Sequence, residues 1–296
     1  MSRCGVVAMV GAPNAGKSTL VNALVGQKVA IVTPKPQTTR VRLMGIALCG
    51  DAQMLLIDTP GVFAPRRRLD RAMVATAWEG ARDADLIALI VDSAHGLEGP
   101  SAPVLARLGE REEAKILILN KIDLVRKERL LALADAARAA LAFEEIFMVS
   151  AATGDGVADL KAKLAQRMPE GPWLFPEEQV SDASERLLAA EATREQLYLK
   201  LREELPHQSA VATEKFEERP DGSAAIHQQI LVAKDSQKGI VVGKGGRTIK
   251  AIGEAAREEL ETLLGRRVHL FLHVKVKPGW DEERSFYREL GLEWVD

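Results

Sequence analysis

Several stretches of this chain carry side chains whose types and spacing could act on a nucleotide. Gly11, Ala12, Pro13, Asn14, Ala15, Gly16, Lys17 and Ser18 fit the pattern G-x-x-x-x-G-K-[ST]. Its glycines let the backbone curl around an anion and turn N–H groups toward phosphate oxygens. Lys17 would reach the β- and γ-phosphates, and the Ser18 hydroxyl would hold Mg2+. Asp58, Thr59, Pro60 and Gly61 offer a carboxylate to that metal through water, and a Gly61 N–H to a γ-phosphate. Asn120, Lys121, Ile122 and Asp123 place a carboxylate where guanine has two donors, N1–H and the exocyclic amine. Adenine offers neither there and would leave the Asp123 charge unpaired. Asn120 and Lys121 would brace the base and the phosphate loop, and Ser150, Ala151 and Ala152 could present a backbone N–H to guanine O6. Thr38 and Thr39 are candidates to cap the metal and sense the γ-phosphate; Thr39 is favoured, though spacing alone does not decide between them. Val62 stands directly after Gly61, where a polar side chain could have oriented an attacking water. An aliphatic side chain cannot do this, so unaided hydrolysis is expected to be slow.

Chemistry of this kind needs strand ends to hold it. Continuous apolar runs predict strands over 4–10, 41–49, 53–58, 86–92, 115–121 and 145–150. Amphipathic spacing predicts helices over 17–25, 69–82, 100–111, 127–142 and 156–168. Strands apolar on both faces and joined through helices imply a mostly parallel six-stranded sheet covered on both sides. Residues 41–49 and 53–58 are joined too tightly for a crossover and should form an antiparallel hairpin. Each motif above follows a strand, where ligands of such sheets bind.

The bulk numbers set the limits. At 296 residues the chain has room for about two domains. It is 47% hydrophobic and 28% charged, and its longest apolar runs, such as 86–91, are too short to span a bilayer. The N-terminus lacks the features of a signal peptide. Cys4 and Cys49 both lie in expected strands, which points to a reducing cytoplasm without disulfides or zinc. The five histidines show no metal-ligand spacing. Residues 170–296 hold 18 Lys/Arg against 24 Asp/Glu, a net of −6 that leaves +4 for 1–169. Any nucleic-acid site in the second half must therefore be a local basic patch.

After Met168 the pattern changes. Pro169 to Pro176 is proline-rich and cannot continue a helix, so 169–182 is expected to link two domains, 1–168 and 183–296, pinned in part by Trp173 and Phe175. A long helix over 184–205 is followed by strand-like runs at 209–219 and 224–233, joined at Asp221-Gly222. Then comes Gly243, Lys244, Gly245 and Gly246, a GxxG loop of the kind that presses bare backbone against nucleotide phosphates. Lys234, Lys238, Lys244, Arg247 and Lys250 surround it against only Asp235. A helix starting with Ile249 and Ile252 and a strand over 266–277 follow, and the tail with Trp280 and Trp294 is expected to be a short acidic helix docked on its domain.

In this order, phosphate loop, DTPG, NKID and SAA resemble a P-loop GTPase domain, and the second half resembles a smaller α+β type II KH domain. A GTPase with one C-terminal KH domain resembles the Era family of bacterial ribosome-assembly GTPases. The likeness spans GAPNAGKS, QTTR, DTPG, NKID, SAATGDG, EGPWLFPE, RLLAAEATRE, DSQKGIVVGKGGRTIKAIG and VKVKPGW, essentially the whole chain. It implies GTP and GDP with Mg2+ as ligands. It also implies binding of small-subunit ribosomal RNA at its 3′ end through 243–246, assistance to small-subunit assembly, and peripheral association with the inner face of the cell membrane. Asn14 resembles the asparagine that some such enzymes use to bind K+. No DNA partner is expected, and the chain is read as a monomer. Two rivals remain: a nucleotide-gated adaptor for a membrane or protein partner, with the KH-like domain a mere platform, and an RNA-remodelling ATPase, against which Asp123 argues.

Overall fold

The computed structural model describes residues 1–295. They form two compact units: one of residues 1–30 and 39–182 with the described residues from Tyr287 on, the other of 31–38 and 183–286.

In the first unit, six strands run β1 (Arg3–Gly11), β2 (Leu43–Cys49), β3 (Ala52–Asp58), β4 (Leu86–Asp92), β5 (Lys115–Asn120) and β6 (Glu145–Met148). Their order across the sheet is β2-β3-β1-β4-β5-β6, parallel throughout except for the tight β2–β3 hairpin. The alternation of side chains decides what covers each face. Val7, Met9, Leu56, Ala88, Ile90 and Ile118 turn one way, toward α1 (Lys17–Val25) and α5 (Val157–Arg167). Ala8, Val10, Ile87, Leu89, Val91 and Leu119 turn the other way, toward α2 (Arg68–Arg82), α3 (Ala102–Gly109) and α4 (Lys127–Ala140). Strands buried on both faces read as unbroken apolar runs, which is why they stand out in the sequence.

The stretch 169–182 belongs to this unit and is stitched to it. Gln53 is fully buried; its side chain accepts from the N–H groups of Leu174 (2.9 Å) and Phe175 (3.1 Å) and donates to Phe175 O (2.8 Å). Trp173 Nε1 donates to Asp51 O, and Ile46 N–H donates to Val180 O. The expected linker is thus a strap along β2 and β3. Near the end of the chain, the Arg68 guanidinium lies 4.2 Å above the Trp294 ring.

The second unit runs α6 (Glu185–Lys200), β7 (Ser209–Glu218), β8 (Ala224–Val232), α7 (Asp235–Val242), α8 (Arg247–Leu264) and β9 (Val268–Val276). β8 is central, antiparallel to β7 and parallel to β9. α6 and α8 pack Leu197, Ile252 and Leu260 against Ile226, Ile230, Val268 and Val274. Three expectations change here. The helix expected over 184–205 ends at Lys200, because Leu201 leaves it in an extended conformation; Leu201 and Leu205 still bury, so the apolar spacing outlasts the helix. Helix α7 has no counterpart in the sequence reading: its Gly239 masks it, while Gln237 Oε1 caps it by accepting from the N–H groups of Ala233 and Lys234. The tail is a 3-10 turn, Trp280–Glu282, and a six-residue helix α9 (Arg284–Glu289), with Trp280 against Phe286 edge to face.

Candidate nucleotide site and glycine loop

β1 ends at Gly11 and α1 begins at Lys17, so the five residues between them must reverse the chain within one turn. Gly16 (φ +92°) and Asn14 (φ +61°) supply the left-handed conformations. A side chain at Gly16 would meet Asn120 Nδ2 at 2.2 Å, one at Gly11 would meet Ile90 O at 2.4 Å, and one at Gly61 would meet Pro13 at 2.8 Å. Lys17 is only 6% exposed, and its ammonium donates to Gly11 O (3.2 Å) and Ala12 O (2.9 Å). Burial lowers it to about 8, against the pull of the Asp58 carboxylate. A buried ammonium held against the backbone of a glycine-bearing loop is a site shaped for an anion.

Beside it, three oxygens converge. Ser18 Oγ donates to Asp58 Oδ2 at 2.6 Å and lies 2.9 Å from Thr39 Oγ1, which is 3.5 Å from the same carboxylate oxygen. Two hydroxyls and a carboxylate form a hard donor set that fits Mg2+, with phosphate oxygens and water to complete its shell. Thr38 is turned away: its hydroxyl lies 2.6 Å from that of Thr33 and donates to Lys35 O at 2.8 Å. Of the two candidate threonines, Thr39 shares the oxygen cluster and Thr38 bonds within its own segment. Thr59 Oγ1 donates to Met9 O and Val62 N–H to Gly11 O, which fixes the backbone around Pro60 and Gly61. The Val62 side chain packs with Ala8, Val10 and Ala77 in the core.

The loops at 120–123 and 150–152 are tied to the phosphate loop. Asn120 is buried and uses both ends of its amide: Nδ2 donates to Ala15 O (2.9 Å) and Oδ1 accepts from Ala151 N–H (3.0 Å). One side chain thus sets the spacing of the loops at 11–18, 120–123 and 150–152. Lys121 (φ +62°) donates to Asn14 O (2.6 Å) and to Asp92 Oδ2 (2.8 Å). Ile122 N–H donates to Val149 O and holds the turn that displays Asp123 to solvent. Ser150 Oγ accepts from Thr153 N–H.

Asp92 holds Lys121 in place, and the sequence reading did not single it out. Burial alone would raise its carboxyl, but bonds from Lys121 and from Ala94 N–H, with the Lys121 charge and His95, outweigh this and hold it below the ordinary carboxylate value. Its only signal in the sequence is an aspartate at the end of the apolar run 86–91.

The GxxG loop is a different kind of place. It joins α7 to α8 through Gly243 (φ +73°), Gly245 (φ +62°) and Gly246 (φ +77°). A side chain at Gly243 would meet Thr248 Oγ1 at 2.1 Å, whereas Gly245 and Gly246 face open space. Lys234, Lys244, Arg247 and Lys250 are exposed and Lys238 is half-buried; Lys250 pairs loosely with Glu254 at 3.8 Å. Ile240, at 57% exposure, sets an apolar side chain one turn before the loop, a further residue the sequence reading did not single out. Among the described residues no cluster of side chains suits a metal held by protein alone, and no helix is long and apolar enough to cross a membrane.

Comparison with known proteins agrees across both units. Residues 6–121 match the family described as "50S ribosome-binding GTPase" and residues 204–281 match "KH domain". The chain is 60% identical over 299 residues to "GTPase Era" of Erythrobacter litoralis, spanning 100% of this chain and 98% of the relative. It is 56% identical over 293 residues to "GTPase Era" of Rhizobium meliloti, spanning 99% and 94%. Among solved structures, Era in complex with MgGDPNP and nucleotides 1506–1542 of 16S ribosomal RNA is similar at a TM-score of 0.93 and 35% identity, covering 98% of this chain and 99% of that one. A variant of Aquifex aeolicus Era bound to GDP and AlF4− is similar at 0.92 and 36%, with the same coverage.

Proposed function

Because the chain belongs to the Era family of GTPases, we propose that it is a GTP-hydrolysing switch that binds 16S ribosomal RNA near its 3′ end through its KH domain and assists assembly of the small ribosomal subunit. The observation that carries the nucleotide half is Asn120, whose two bonds lock phosphate loop and base loop into one frame. The RNA half is supported by the likeness, over both units, to a relative solved with that RNA and a GTP analogue.

The residues take these roles. Lys17 and the N–H groups of 11–18 grip the phosphates. Ser18, Thr39 and Asp58 hold Mg2+, which neutralises charge developing on the transferred phosphoryl group. Gly61 N–H donates to the γ-phosphate, so the loop after it orders when GTP is present. Asp123 selects guanine, Asn120 and Lys121 brace its loop, and the N–H groups of 150–152 face guanine O6. With Val62 buried in the core, no side chain at that position can orient water; backbone, a partner or K+ held at Asn14 supplies what is missing. At the KH domain, Gly243–Gly246 admit the RNA backbone, and Lys234, Lys238, Lys244, Arg247 and Lys250 supply its counter-charge. We place the protein in the cytoplasm, with peripheral contact to the inner face of the membrane.

The test is a double substitution, Lys244→Asp with Gly245→Asp, which should abolish binding of a 16S 3′-end RNA and leave GTP hydrolysis intact. RNA binding that survives it would favour the adaptor reading, with the KH domain as platform.

A further inference from the structure

Behind the loop at 120–123 lies a turn to which the proposed function gives no role. β4 ends at Asp92, and the chain then turns through Ser93, Ala94 and His95. The turn closes on Asp92 itself. Its carbonyl accepts from the N–H groups of His95 and Gly96, and its Oδ1 accepts from Ala94 N–H at 2.9 Å. From α4, the Arg129 guanidinium donates to Ala94 O at 2.6 Å. Asp92 stands opposite Asn120 in the parallel pairing of β4 with β5, so the turn and the loop leave the sheet side by side.

Bonds then cross from the turn to the loop. Ser93 is fully buried, and both its N–H (2.9 Å) and its hydroxyl (2.7 Å) donate to Asn120 O. Asp92 is 9% exposed; its Oδ2 accepts from the Lys121 ammonium at 2.8 Å, and His95 Nδ1 lies 3.1 Å from the same oxygen. Sheet formation alone does not ask for these side-chain bonds, since the ladder between β4 and β5 ends at Asp92 and Asn120. What they hold is a residue that resists being held. Lys121 has φ +62°, a conformation that residues other than glycine seldom adopt. Its long side chain is tied at the tip twice, to Asp92 and to Asn14 O of the phosphate loop. Its own carbonyl accepts from Leu124 N–H, so the turn that carries Asp123 starts from Lys121.

We propose that Asp92 and Ser93 are positioning residues that set how long a guanine nucleotide stays bound. They act through Lys121 and Asn120 rather than on the nucleotide. The Asn120 amide spaces three loops from within; Asp92 and Ser93 clamp the backbone and the lysine of one of them from behind. The clamp does not reach Ser18, Thr39 or Asp58. Its loss therefore speeds release of GDP and GTP alike and leaves the hydrolytic step as it was. The inference rests on the nucleotide roles proposed above for Lys121 and Asp123.

The experiment compares wild type with Asp92→Ala, Asp92→Asn, Ser93→Ala, Lys121→Met and the pair Asp92→Ala with Lys121→Met. Two quantities are read: the rates at which fluorescent GDP and a non-hydrolysable GTP analogue are released, and single-turnover hydrolysis of GTP bound beforehand. Asp92→Ala should speed both releases roughly ten- to hundredfold, the scale of losing a hydrogen bond to a charged group. Ser93→Ala should speed them about fivefold, as for a neutral bond. Asp92→Asn keeps an oxygen and should fall between wild type and Asp92→Ala. Single-turnover hydrolysis should not change in any of the three. The pair should release no faster than Lys121→Met alone, because a residue that acts through Lys121 has nothing left to act on. A side chain that merely supported the fold would instead add its own loss. The proposal is overturned if release from folded Asp92→Ala stays within about twofold of wild type, less than a neutral hydrogen bond contributes. It is also overturned if the effects of Asp92→Ala and Lys121→Met multiply, or if only one of the two nucleotides leaves faster. Should Asp92→Ala not fold, Asp92→Asn and Ser93→Ala decide by the same criteria. A wild-type protein that binds no guanine nucleotide would refute the proposed function, and this inference with it.

Discussion

The two glycine loops of this protein share a ligand chemistry, phosphate, and almost nothing else. Around Lys17 every glycine is hemmed in: Asn120 stands at 2.2 Å from where a Gly16 side chain would start, and Ile90 O closes on Gly11. Around Lys244, Gly245 and Gly246 face open space and the cations are exposed. The first loop must hold three phosphate groups and a metal in one geometry, and preset donors stabilise a transition state without rearranging. The second must admit a polymer that brings its own shape; there bare backbone and exposed lysines suffice, and the attraction is electrostatic. One site is built before its ligand comes, the other around it.

Substitutions can widen or collapse this contrast. The largest effect should come from Lys17→Ala. Turnover of GTP should fall roughly 10²–10³-fold, the scale for removing one preset donor, while RNA binding in the absence of nucleotide stays as it was. Stability should not fall with it. Burial has lowered the Lys17 ammonium to about 8, so folding is disfavoured by that charge below pH 8 and released from the penalty as pH rises toward 10.5. The variant should therefore melt no lower than wild type at neutral pH, with its advantage fading above pH 8. A variant that melts well below wild type at pH 7 would show the loop to be held up by its lysine rather than strained by it.

Next in size is a matched pair, Gly16→Ala and Gly245→Ala. Both put a side chain into a left-handed conformation, at about 1–2 kcal/mol each. Only Gly16 adds a clash, with the amide that spaces three loops. Denaturant unfolding should show the larger loss for Gly16→Ala, together with loss of nucleotide binding; Gly245→Ala should keep full GTP turnover. Equal losses would erase the distinction between the loops. The smallest effect concerns salt. Lys244→Ala and Lys250→Ala should each flatten the dependence of log RNA affinity on log salt by about 0.7, read by titration at several ionic strengths, with GTP affinity unmoved.

The nucleotide site was legible because its chemistry is local in sequence. Asp58 closes β3, Asp123 lies three residues beyond β5 and Lys17 opens the helix that follows β1, and strands buried on both faces announce themselves. What escaped was what depends on distant partners. Asp92 looks like the polar end of any strand until Lys121 is found on it. Helix α7 is only eight residues long with a glycine inside, so its spacing is weak and its cap, Gln237, is ordinary. The attachment of 31–38 to α6 rests on main-chain atoms of Val32, Gln37 and Leu201, which no pattern of side chains encodes. The choice between Thr38 and Thr39 is likewise not encoded in spacing: only the folded chain sets the Thr39 hydroxyl beside Ser18 and the Thr38 hydroxyl beside Thr33.

The strap at 169–182 has a practical consequence. β2 is the outermost strand of its sheet, and its backbone is occupied on the outer side by Val180 and Asp182: Ile46 N–H donates to Val180 O, and Asp182 N–H donates to Met44 O. Trimming the protein back to Met168 would strip that cover, expose the Gln53 amide, and leave a raw edge on which another copy could add a strand. Such a fragment should precipitate on standing. One that stops after Asp182 should remain in solution.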